Sequence, residues 1–260
     1  MTQSDIDYFA SPALSKSRID LLLECPARYK ADIDGDVEEK DSEALRFGSL
    51  THLLTLEPEE FNSQYAVTDL SLATKEGKAF KREAEESGLE IIKGKDLEKA
   101  MFMADAVRSH WQCRVLFEHE HAAERPIFWE YNGIQCKAKP DIVTTLPDGR
   151  RIIGDLKTTD SANPDHCRRS IMKYGYYRQA AWYLSGMAAI GKPCDAFVFM
   201  FVEKARPHLV TCFDVSEKAL LKGMQECNEA IERLKECTAS KVWPCYTKDI
   251  LTFELPDWAA

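Results

Sequence analysis

Apolar residues recur at helical spacing through the first third of the chain. The segment LSKSRIDLLLECPARYK predicts a helix that begins after an N-cap at Ser15 or Ser17 and is interrupted by Pro26. Further helices are predicted over about 42–56 and about 97–111. The first third of the chain is therefore expected to be helical.

The periodicity changes from helical to alternating near Glu124. Residues 125–159 predict a three-strand meander, because their apolar stretches are separated by the turn sequences NG at 132–133 and PDG at 147–149. The two turns divide this part of the chain into strand, turn, strand, turn and strand.

Two further helices and two strands complete the predicted order. The pattern predicts a long helix over about 164–189, a buried strand at 195–203, a strand at 208–215 and a closing amphipathic helix at 216–237. This order favours an α/β (α+β) fold with a central mixed β-sheet flanked by helices.

Length and composition favour one domain. The chain has 260 residues, 45% of them hydrophobic, which is enough for one sizeable core. We expect a single domain over 1–260, with a helical N-terminal part at about 1–120 and a sheet-containing core at about 121–260.

Charge and cysteine content bear on partners and location. The formal net charge is -9, which argues mildly against a nucleic-acid partner but says little about a local groove. The stretch 70–100 is rich in Lys and Glu and is predicted to be a solvated helical excursion. No apolar run approaches the ~20 residues of a membrane span, and the N-terminal sequence does not resemble a signal peptide. Because the nine cysteines lack paired spacing, we expect a cytoplasmic protein with reduced thiols and no membrane partner.

The turn sequence PDG sets the register of the hairpin around it. Proline cannot adopt the positive φ that favoured two-residue loops need at their first position, so a three-residue loop with Gly149 in the left-handed region is expected. That loop places Asp141 directly opposite Asp155 on one face. Lys157 shares this face, because side chains alternate along a strand.

Two carboxylates that face each other across a strand pair repel, unless a cation lies between them. The apolar neighbours in both strands indicate that the hairpin is buried, and buried acids need partners. Carboxylates suit Mg²⁺ or Mn²⁺, which can polarise a phosphodiester and activate water. A neighbouring lysine can orient that water or stabilise developing negative charge. The alternative interpretation is an exposed hairpin with ordinary surface charges, which the shortness of the pattern favours.

Short motifs in this order resemble those of the PD-(D/E)XK nucleases. The defining motif is matched by PD at 140–141 and DLK at 155–157. GSLTH at 48–52 resembles the GxxxH element of the RecB-type branch, and QAAWY at 179–183 resembles its QxxxY element. Gly48 costs about 1 kcal/mol of helix propensity, which suggests that another group packs close to it. The resemblance implies a restriction-endonuclease-like core around the central sheet.

Nearly the whole chain, about 8–259, also resembles the nuclease region of the RecE-type exonucleases of phages and prophages. The likeness is carried by the opening YFASPALSKSRIDLLLECPARY, by LEPEEF, by DLKTT and by the tail WPCYTKDILTFELPDWA. It implies a single nuclease domain that degrades double-stranded DNA from its ends, 5′ to 3′, with Mg²⁺ or Mn²⁺, and leaves 3′ single-stranded overhangs for recombination. It also implies a ring-shaped homo-oligomer, with a tetramer favoured, and a RecT-like single-strand annealing protein as partner.

The same resemblance implies roles for individual residues. The implied metal ligands are His52, Asp141, Asp155 and the main-chain carbonyl of Leu156. Lys157 would be the catalytic lysine, while Gln179 and Tyr183 would contact the substrate or the attacking water. Glu124 is an ancillary candidate beside the site. Taken alone, the histidine favours a core position, and the combination with the other motifs reverses that preference. The glutamine and tyrosine are equally consistent with ordinary packing.

The predicted helix over 164–189 carries a local basic surface within an acidic chain. Its basic residues are Arg168, Arg169, Lys173 and Arg178. We expect these residues to contact DNA, and we assign most of the aromatic residues between them to the core. Arg28 and Arg46 are further candidates for phosphate contacts.

Two other functions stay open from the sequence. A structure-specific DNA endonuclease could share this fold, because a fold does not fix the mode of cleavage. A catalytically inactive DNA-binding protein could retain a relic of the site, although the complete set of one histidine, two aspartates and a lysine argues against it.

Overall fold

The structure, a computed structural model, describes residues 8–37 and 43–256. Its helices are α1 Lys16–Glu24, α2 Pro26–Asp34, α3 Glu43–Leu56, α4 Phe61–Gln64, α5 Lys75–Glu86, α6 Gly94–Ser109, α7 Val115–Glu118, α8 Pro164–Lys173, α9 Tyr176–Ala189 and α10 Glu217–Ser240. Its strands are β1 Tyr65–Val67, β2 Glu90–Ile92, β3 His121–Ala123, β4 Ile127–Tyr131, β5 Ile134–Ala138, β6 Ile142–Thr145, β7 Arg151–Thr159, β8 Ala196–Glu203 and β9 Val210–Asp214.

The boundaries of the first helices follow from their capping residues. Ser15 caps α1 by accepting a hydrogen bond from the amide of Arg18, and Pro26 begins α2, where its missing N–H is tolerated. The predicted helices over 42–56 and 97–111 are α3 and α6, although position 42 lies outside the described residues.

The N-terminal part contains two strands that the hydrophobic pattern did not predict. β1 and β2 pair in parallel, with Tyr65 opposite Glu90 and Val67 opposite Ile92. Each strand has three residues, which is too short to produce a recognisable alternation. The predicted charged excursion therefore contains α5 and one strand of a small sheet.

The central sheet is mixed, as predicted, with the strand order β3-β6-β7-β8-β9. β7 and β8 are parallel, and the other neighbours are antiparallel. The predicted three-strand meander is wrong, because β4 and β5 form a separate two-stranded sheet. The chain leaves that hairpin through Pro140, which cannot donate a ladder hydrogen bond, and β3 occupies the sheet position beside β6.

The crossover from β7 to β8 contains two helices, so the single helix predicted over 164–189 is wrong. Gly175 separates α8 from α9 with a φ of +59°. A Cβ atom at this position would lie 2.0 Å from the guanidinium of Arg178. Both the left-handed backbone and the close approach require glycine here.

The sheet separates two apolar layers. One face packs on α9 through Ile153, Phe197, Phe199, Phe201, Ala180 and Met187. The opposite face packs through Leu56, Met103, Val107, Leu116, Ile142, Leu156, Met200 and Val202. α9 also contacts α10 and the β4–β5 hairpin, so it is enclosed between the sheet and an outer layer.

α10 is the longest helix of the described residues, with 24 residues. Ser216 caps it, and its buried residues recur three and four positions apart, as predicted for an amphipathic helix. Within 8–37 and 43–256, no helix combines the length and the apolar character that a bilayer span requires.

Replacing Gly175 by alanine should destabilise the protein by about 2–3 kcal/mol. The left-handed φ contributes about 1–2 kcal/mol, and displacement of Arg178 from its ion pairs adds to it. Urea unfolding measures the difference. Gly191→Ala is the matched control, since Gly191 has a φ of +76° but open space around its Cα, and it should lose only the smaller amount. Equal losses in the two variants would contradict the steric part of this explanation.

Candidate active site

The β6–β7 hairpin has the register that the turn sequence predicted. Thr145 pairs with Arg151 and Ile142 with Gly154, which continues to Asp141 opposite Asp155. Gly149 has a φ of +88°, and its amide donates to the Leu146 carbonyl at 2.9 Å. The three-residue loop is therefore confirmed.

The main chain of β7 fixes the carboxylate of Asp141. Its Oδ2 accepts a hydrogen bond from the amide of Leu156 at 2.7 Å, and its main-chain carbonyl accepts one from Glu124 at 3.0 Å. Asp141 lies just before β6, so its side chain continues the ladder where the strand has ended.

Asp155 is fully buried and has contacts on both oxygens. Oδ1 lies 2.5 Å from Lys157 Nζ, without the angles of a well-formed hydrogen bond, and Oδ2 accepts from the Gln179 amide at 2.5 Å. Lys157 Nζ also lies 4.8 Å from the ring centroid of Tyr176, a distance typical of a cation–π contact. Residues from β7 and α9 thus meet around one carboxylate.

His52 and Glu124 complete an acidic group with Asp141. His52 Nδ1 lies 3.4 Å from Asp141 Oδ2, and ligand atoms of the three residues lie within 4.8 Å of one another. Glu124 has a φ of +50°, a conformation uncommon for glutamate, and its carboxylate is paired with Lys139 at 2.8 Å. The ancillary candidate of the sequence therefore lies in the centre of the site.

Burial and like charge shift the protonation of this group. Burial and the neighbouring Asp155 raise the pKa of Asp141 to about 8. Burial and Asp141 also raise the pKa of Glu124. Burial and Lys157 lower the pKa of His52, which favours the neutral imidazole that ligates metals.

The lysine behaves in the opposite way to an isolated buried amine. Burial lowers the pKa of Lys157, but the carboxylates of Asp155 and Asp141 outweigh this effect, and the net shift is upward. Lys157 therefore carries its positive charge at neutral pH.

The donor set fits a divalent cation with hard ligands. One imidazole and two carboxylates converge, and the raised carboxylate pKa values show that their charges lack enough positive partners. A bound cation would supply that charge, and oxygen-rich sets of this kind suit Mg²⁺ or Mn²⁺. Asp155 lies beside this group, because Asp141 is its neighbour across the hairpin. The predicted ligand Leu156 contacts it through its main chain, which hydrogen-bonds both Asp141 and the His52 ring.

The site opens into a cleft of about 590 Å³ between α3 and the start of the sheet. Its lining includes Phe9, Gly48, His52, Glu124, Lys139 and Thr158. The close packing suggested for Gly48 is wrong, because a Cβ there would meet only Thr158 Oγ1, at an ordinary 3.9 Å. The missing side chain instead widens the cleft.

Gln179 and Tyr183 lie one turn apart on α9, behind Asp155. Gln179 is buried and bridges the carboxylate of Asp155 and the hydroxyl of Tyr183. Burial raises the pKa of Tyr183 well above its ordinary value, so it stays protonated. These contacts position Asp155, and the direct substrate contact expected from the sequence stays a prediction.

The basic residues of the crossover divide into two groups. Arg168, Arg169 and Lys173 are exposed on α8, where Arg168 pairs with Asp165. Arg178 is instead enclosed between two carboxylates on α1 and α10: its Nη2 lies 3.1 Å from Asp20 and its Nη1 lies 2.6 Å from Glu226. That placement argues against the predicted DNA contact, because its charge is already balanced within the chain.

The remaining candidates for phosphate contacts are at the surface. Arg28 pairs with Glu24 and hydrogen-bonds Tyr246, and Arg46 lies 3.7 Å from Glu90 beside the cleft. Their roles in DNA binding stay predictions.

The sequence did not identify two residues of the site. Tyr176 contacts Lys157, and its position directly after the helix-breaking Gly175 was the available signal. Lys139 pairs with Glu124, and it directly precedes the PD motif. Tyr176 begins a helix and Lys139 lies in the loop after β5, and hydrophobic periodicity indicates neither position as part of a site.

The five-stranded sheet with its acidic hairpin and flanking helices has the architecture of the PD-(D/E)XK class. A family model described as "PDDEXK-like domain of unknown function (DUF3799)" matches residues 15–254. The chain therefore belongs to this family, as the motifs indicated. No curated protein matches its sequence.

A solved structure has the same fold. The chain is similar to a candidate exonuclease from Eubacterium rectale, at 16% identity and a TM-score of 0.66, over 98% of this chain and 97% of that one. It is also similar to a phage related exonuclease from Haemophilus somnus 129PT, at 15% identity and a TM-score of 0.39, over 91% and 100% of the chains. An alkaline exonuclease from Laribacter hongkongensis has 16% identity and a TM-score of 0.26, over 71% and 100%. The first likeness shows the fold, and the other two carry no argument.

Binding of Mg²⁺ or Mn²⁺ should tighten as the pH rises and level off above about 8. Because the pKa of Asp141 is raised to about 8, a cation must displace a proton below that pH, and its affinity should rise up to about tenfold per pH unit. Calorimetric titration in buffers of different ionisation enthalpy measures both the affinity and the protons released. Asp141→Asn should bind weakly and release fewer protons. An affinity that is constant between about pH 6 and pH 8 would contradict the assignment.

Proposed function

We propose that the protein is a divalent-metal-dependent exonuclease that degrades linear double-stranded DNA from its 5′ ends and leaves 3′ overhangs. The observation that carries the proposal is the convergence of Asp141, Asp155 and Lys157 with His52 at the cleft. A metal-dependent hydrolase for phosphodiesters uses a cation site, a water to attack and a positive group near the developing charge. The chain's own residues provide for each of these.

His52, Glu124 and Asp141, with Asp155 beside them, are the residues that would hold the cation. When bound, that cation supplies Lewis-acid polarisation of the scissile phosphate and lowers the pKa of a water ligand. Asp141 is held in place by the Leu156 amide, so its carboxylate is fixed before any ligand arrives.

Lys157 acts as a charged hydrogen-bond donor. Its raised pKa keeps it protonated, which makes it a poor general base and a good stabiliser of negative charge on phosphate oxygens. Asp155 and the ring of Tyr176 orient its ammonium group. Gln179 in turn holds Asp155, and Tyr183 holds Gln179.

The exposed basic residues of α8 are proposed to guide the DNA backbone to the cleft. α8 follows β7 directly, so Arg168, Arg169 and Lys173 come a few residues after the catalytic strand. Phosphate contacts of this kind would provide affinity without sequence selectivity, which suits a nuclease that degrades DNA progressively.

The action on DNA ends is supported by the sequence resemblance to RecE-type exonucleases and by the exonuclease name of the structurally similar protein from Eubacterium rectale. The same resemblance supports two partner proposals: a ring-shaped homo-oligomer, and a RecT-like annealing protein that takes over the 3′ overhang during recombination.

Digestion of end-labelled DNA tests the activity and its polarity. With Mg²⁺, linear duplexes should be degraded from their 5′ ends and covalently closed circles should survive, whereas chelation by EDTA should stop the reaction. Asp155→Asn and Lys157→Ala should each lower the rate by at least about 100- to 1,000-fold, because each removes charge at the reacting centre. Lys235→Ala, on the exposed side of α10, is the matched control and should keep its rate.

Cleavage of closed circles would instead favour an endonuclease of the same fold. Metal-independent DNA binding with no cleavage would favour an inactive DNA-binding protein. Full activity of Lys157→Ala would refute the role given to the lysine.

Removing the basic surface of α8 should weaken DNA binding without changing the chemistry. The triple variant Arg168→Ala, Arg169→Ala and Lys173→Ala should reduce the slope of log affinity against log salt by up to about three. Binding is measured by fluorescence anisotropy at several salt concentrations, in Ca²⁺ or on the Asp155→Asn background. An unchanged salt dependence would place the DNA path elsewhere on the surface.

A further inference from the structure

A second cluster of metal-binding side chains lies away from the carboxylate group. Cys113 Sγ lies 3.2 Å from Cys212 Sγ and 3.7 Å from His110 Nδ1, and all three donor atoms are within 4.8 Å of one another. Cys113 is buried, while His110 and Cys212 are partly exposed. The cluster is thus built into the core and still accessible from solvent on one side.

The fold brings these residues together from distant parts of the chain. His110 ends α6, and its carbonyl accepts hydrogen bonds from the amides of Cys113 and Arg114, both at 2.9 Å. This tight turn places the imidazole and the first thiol side by side. Cys212 comes from the middle of β9, 99 residues later in the sequence.

The cluster lies on the opposite face of the sheet from the side chains of Asp155 and Lys157. Cys212 pairs with Met200, which pairs in turn with Leu156, and all three pack in the apolar layer that contains Cys113. Successive residues of β7 point to opposite faces, so Asp155 points away from this layer. The two groups of metal-binding residues are therefore separate.

We propose that His110, Cys113 and Cys212 form a second metal site, which takes a thiophilic divalent cation such as Zn²⁺. Two thiolates and an imidazole are the soft donors that Zn²⁺ prefers, whereas Mg²⁺ prefers oxygen. With Zn–S near 2.3 Å and Zn–N near 2.1 Å, tetrahedral coordination sets two sulfurs about 3.8 Å apart and sulfur and nitrogen about 3.6 Å apart. The distance of 3.7 Å between Cys113 and His110 matches this geometry, and the two sulfurs, 3.2 Å apart, would separate by about 0.6 Å to accept the ion.

The imidazole presents Nδ1 to the neighbouring thiol. His110 Nδ1 accepts a long hydrogen bond from the Gln112 amide at 3.4 Å and lies 3.7 Å from Cys113 Sγ. A cation would replace this weak interaction. The partly exposed side of the cluster leaves room for a fourth, non-protein ligand.

A disulfide between the two cysteines is the competing outcome. It requires the sulfurs to approach to about 2.05 Å, and it leaves the adjacent imidazole without a function. The third donor therefore favours the metal.

A bound ion would tie the turn after α6 to the edge strand β9. Both cysteines belong to the apolar layer that packs against Leu156, the residue between the two proposed catalytic residues of β7. The expected effect of the ion is on stability and not on the chemistry, which operates on the other face.

Metal retention tests the proposal on the full-length, reduced chain carrying Asp141→Asn, which removes the carboxylate site as a competitor. After equilibrium dialysis against Zn²⁺ in excess Mg²⁺, elemental analysis should find one Zn²⁺ per chain. Titration with Co²⁺ should produce sulfur-to-metal charge-transfer absorption in the near ultraviolet. Cys212→Ser and His110→Ala should each weaken Zn²⁺ binding by about 100-fold or more, while Cys245→Ser, an exposed thiol elsewhere, should bind normally.

Three results would overturn the proposal. They are the absence of stoichiometric Zn²⁺ from the reduced chain, retention that both site variants leave unchanged, and Co²⁺ binding without charge-transfer absorption. Mass spectrometry of the unreduced chain identifies a disulfide between Cys113 and Cys212, which together with the first result would assign the pair to redox chemistry. Circular dichroism of each variant separates loss of the site from loss of the fold. Because none of these measurements depends on nuclease activity, the proposed exonuclease function can fail without affecting this result.

Discussion

A buried carboxylate is stable only when positive or hydrogen-bonding groups surround it, and Asp155 is fully buried in the middle of the sheet. Asp141 lies across the hairpin and adds a second negative charge beside it, so still more positive or hydrogen-bonding groups are needed. Lys157 from the same strand and Gln179 from α9 meet part of it. The fold must satisfy this constraint, because the strand, the crossover helix and the hairpin each contribute one group to the same position. These groups leave part of the negative charge unbalanced, and that remaining charge makes the site fit a divalent cation.

The parts of the fold that local chemistry dictates could be predicted from the sequence. The three-residue loop and the register of Asp141 against Asp155 followed from the inability of proline to adopt a positive φ, and the structure has both. Ser15, one of two predicted caps, and Pro26 indicated the boundaries of the first helices in the same way. These features depend on a few neighbouring residues, so no knowledge of the tertiary structure is needed.

The parts that failed depend on contacts between distant segments. In the sequence, Gly175 is an ordinary interruption of an amphipathic pattern. The structure shows that Arg178 fills the space beside it. The separation of the β4–β5 hairpin from the main sheet depends on β3, which has three residues and little pattern of its own. In the site, the pairing of Lys139 with Glu124 joins the residue before the PD motif to one 15 positions earlier, and hydrophobic periodicity does not predict such a pair.

Two consecutive residues of α9 face opposite ways, and this arrangement constrains how the protein can vary. Arg178 is bound to Asp20 and Glu226 in the outer helices, and Gln179 to Asp155 in the sheet. A shift of the outer helices would therefore move the group that orients the buried carboxylate. Substitutions at Asp20 or Glu226 would therefore affect the position of Asp155 as well as the stability of the fold. Natural variation at these outer positions should accordingly be narrower than their exposure suggests.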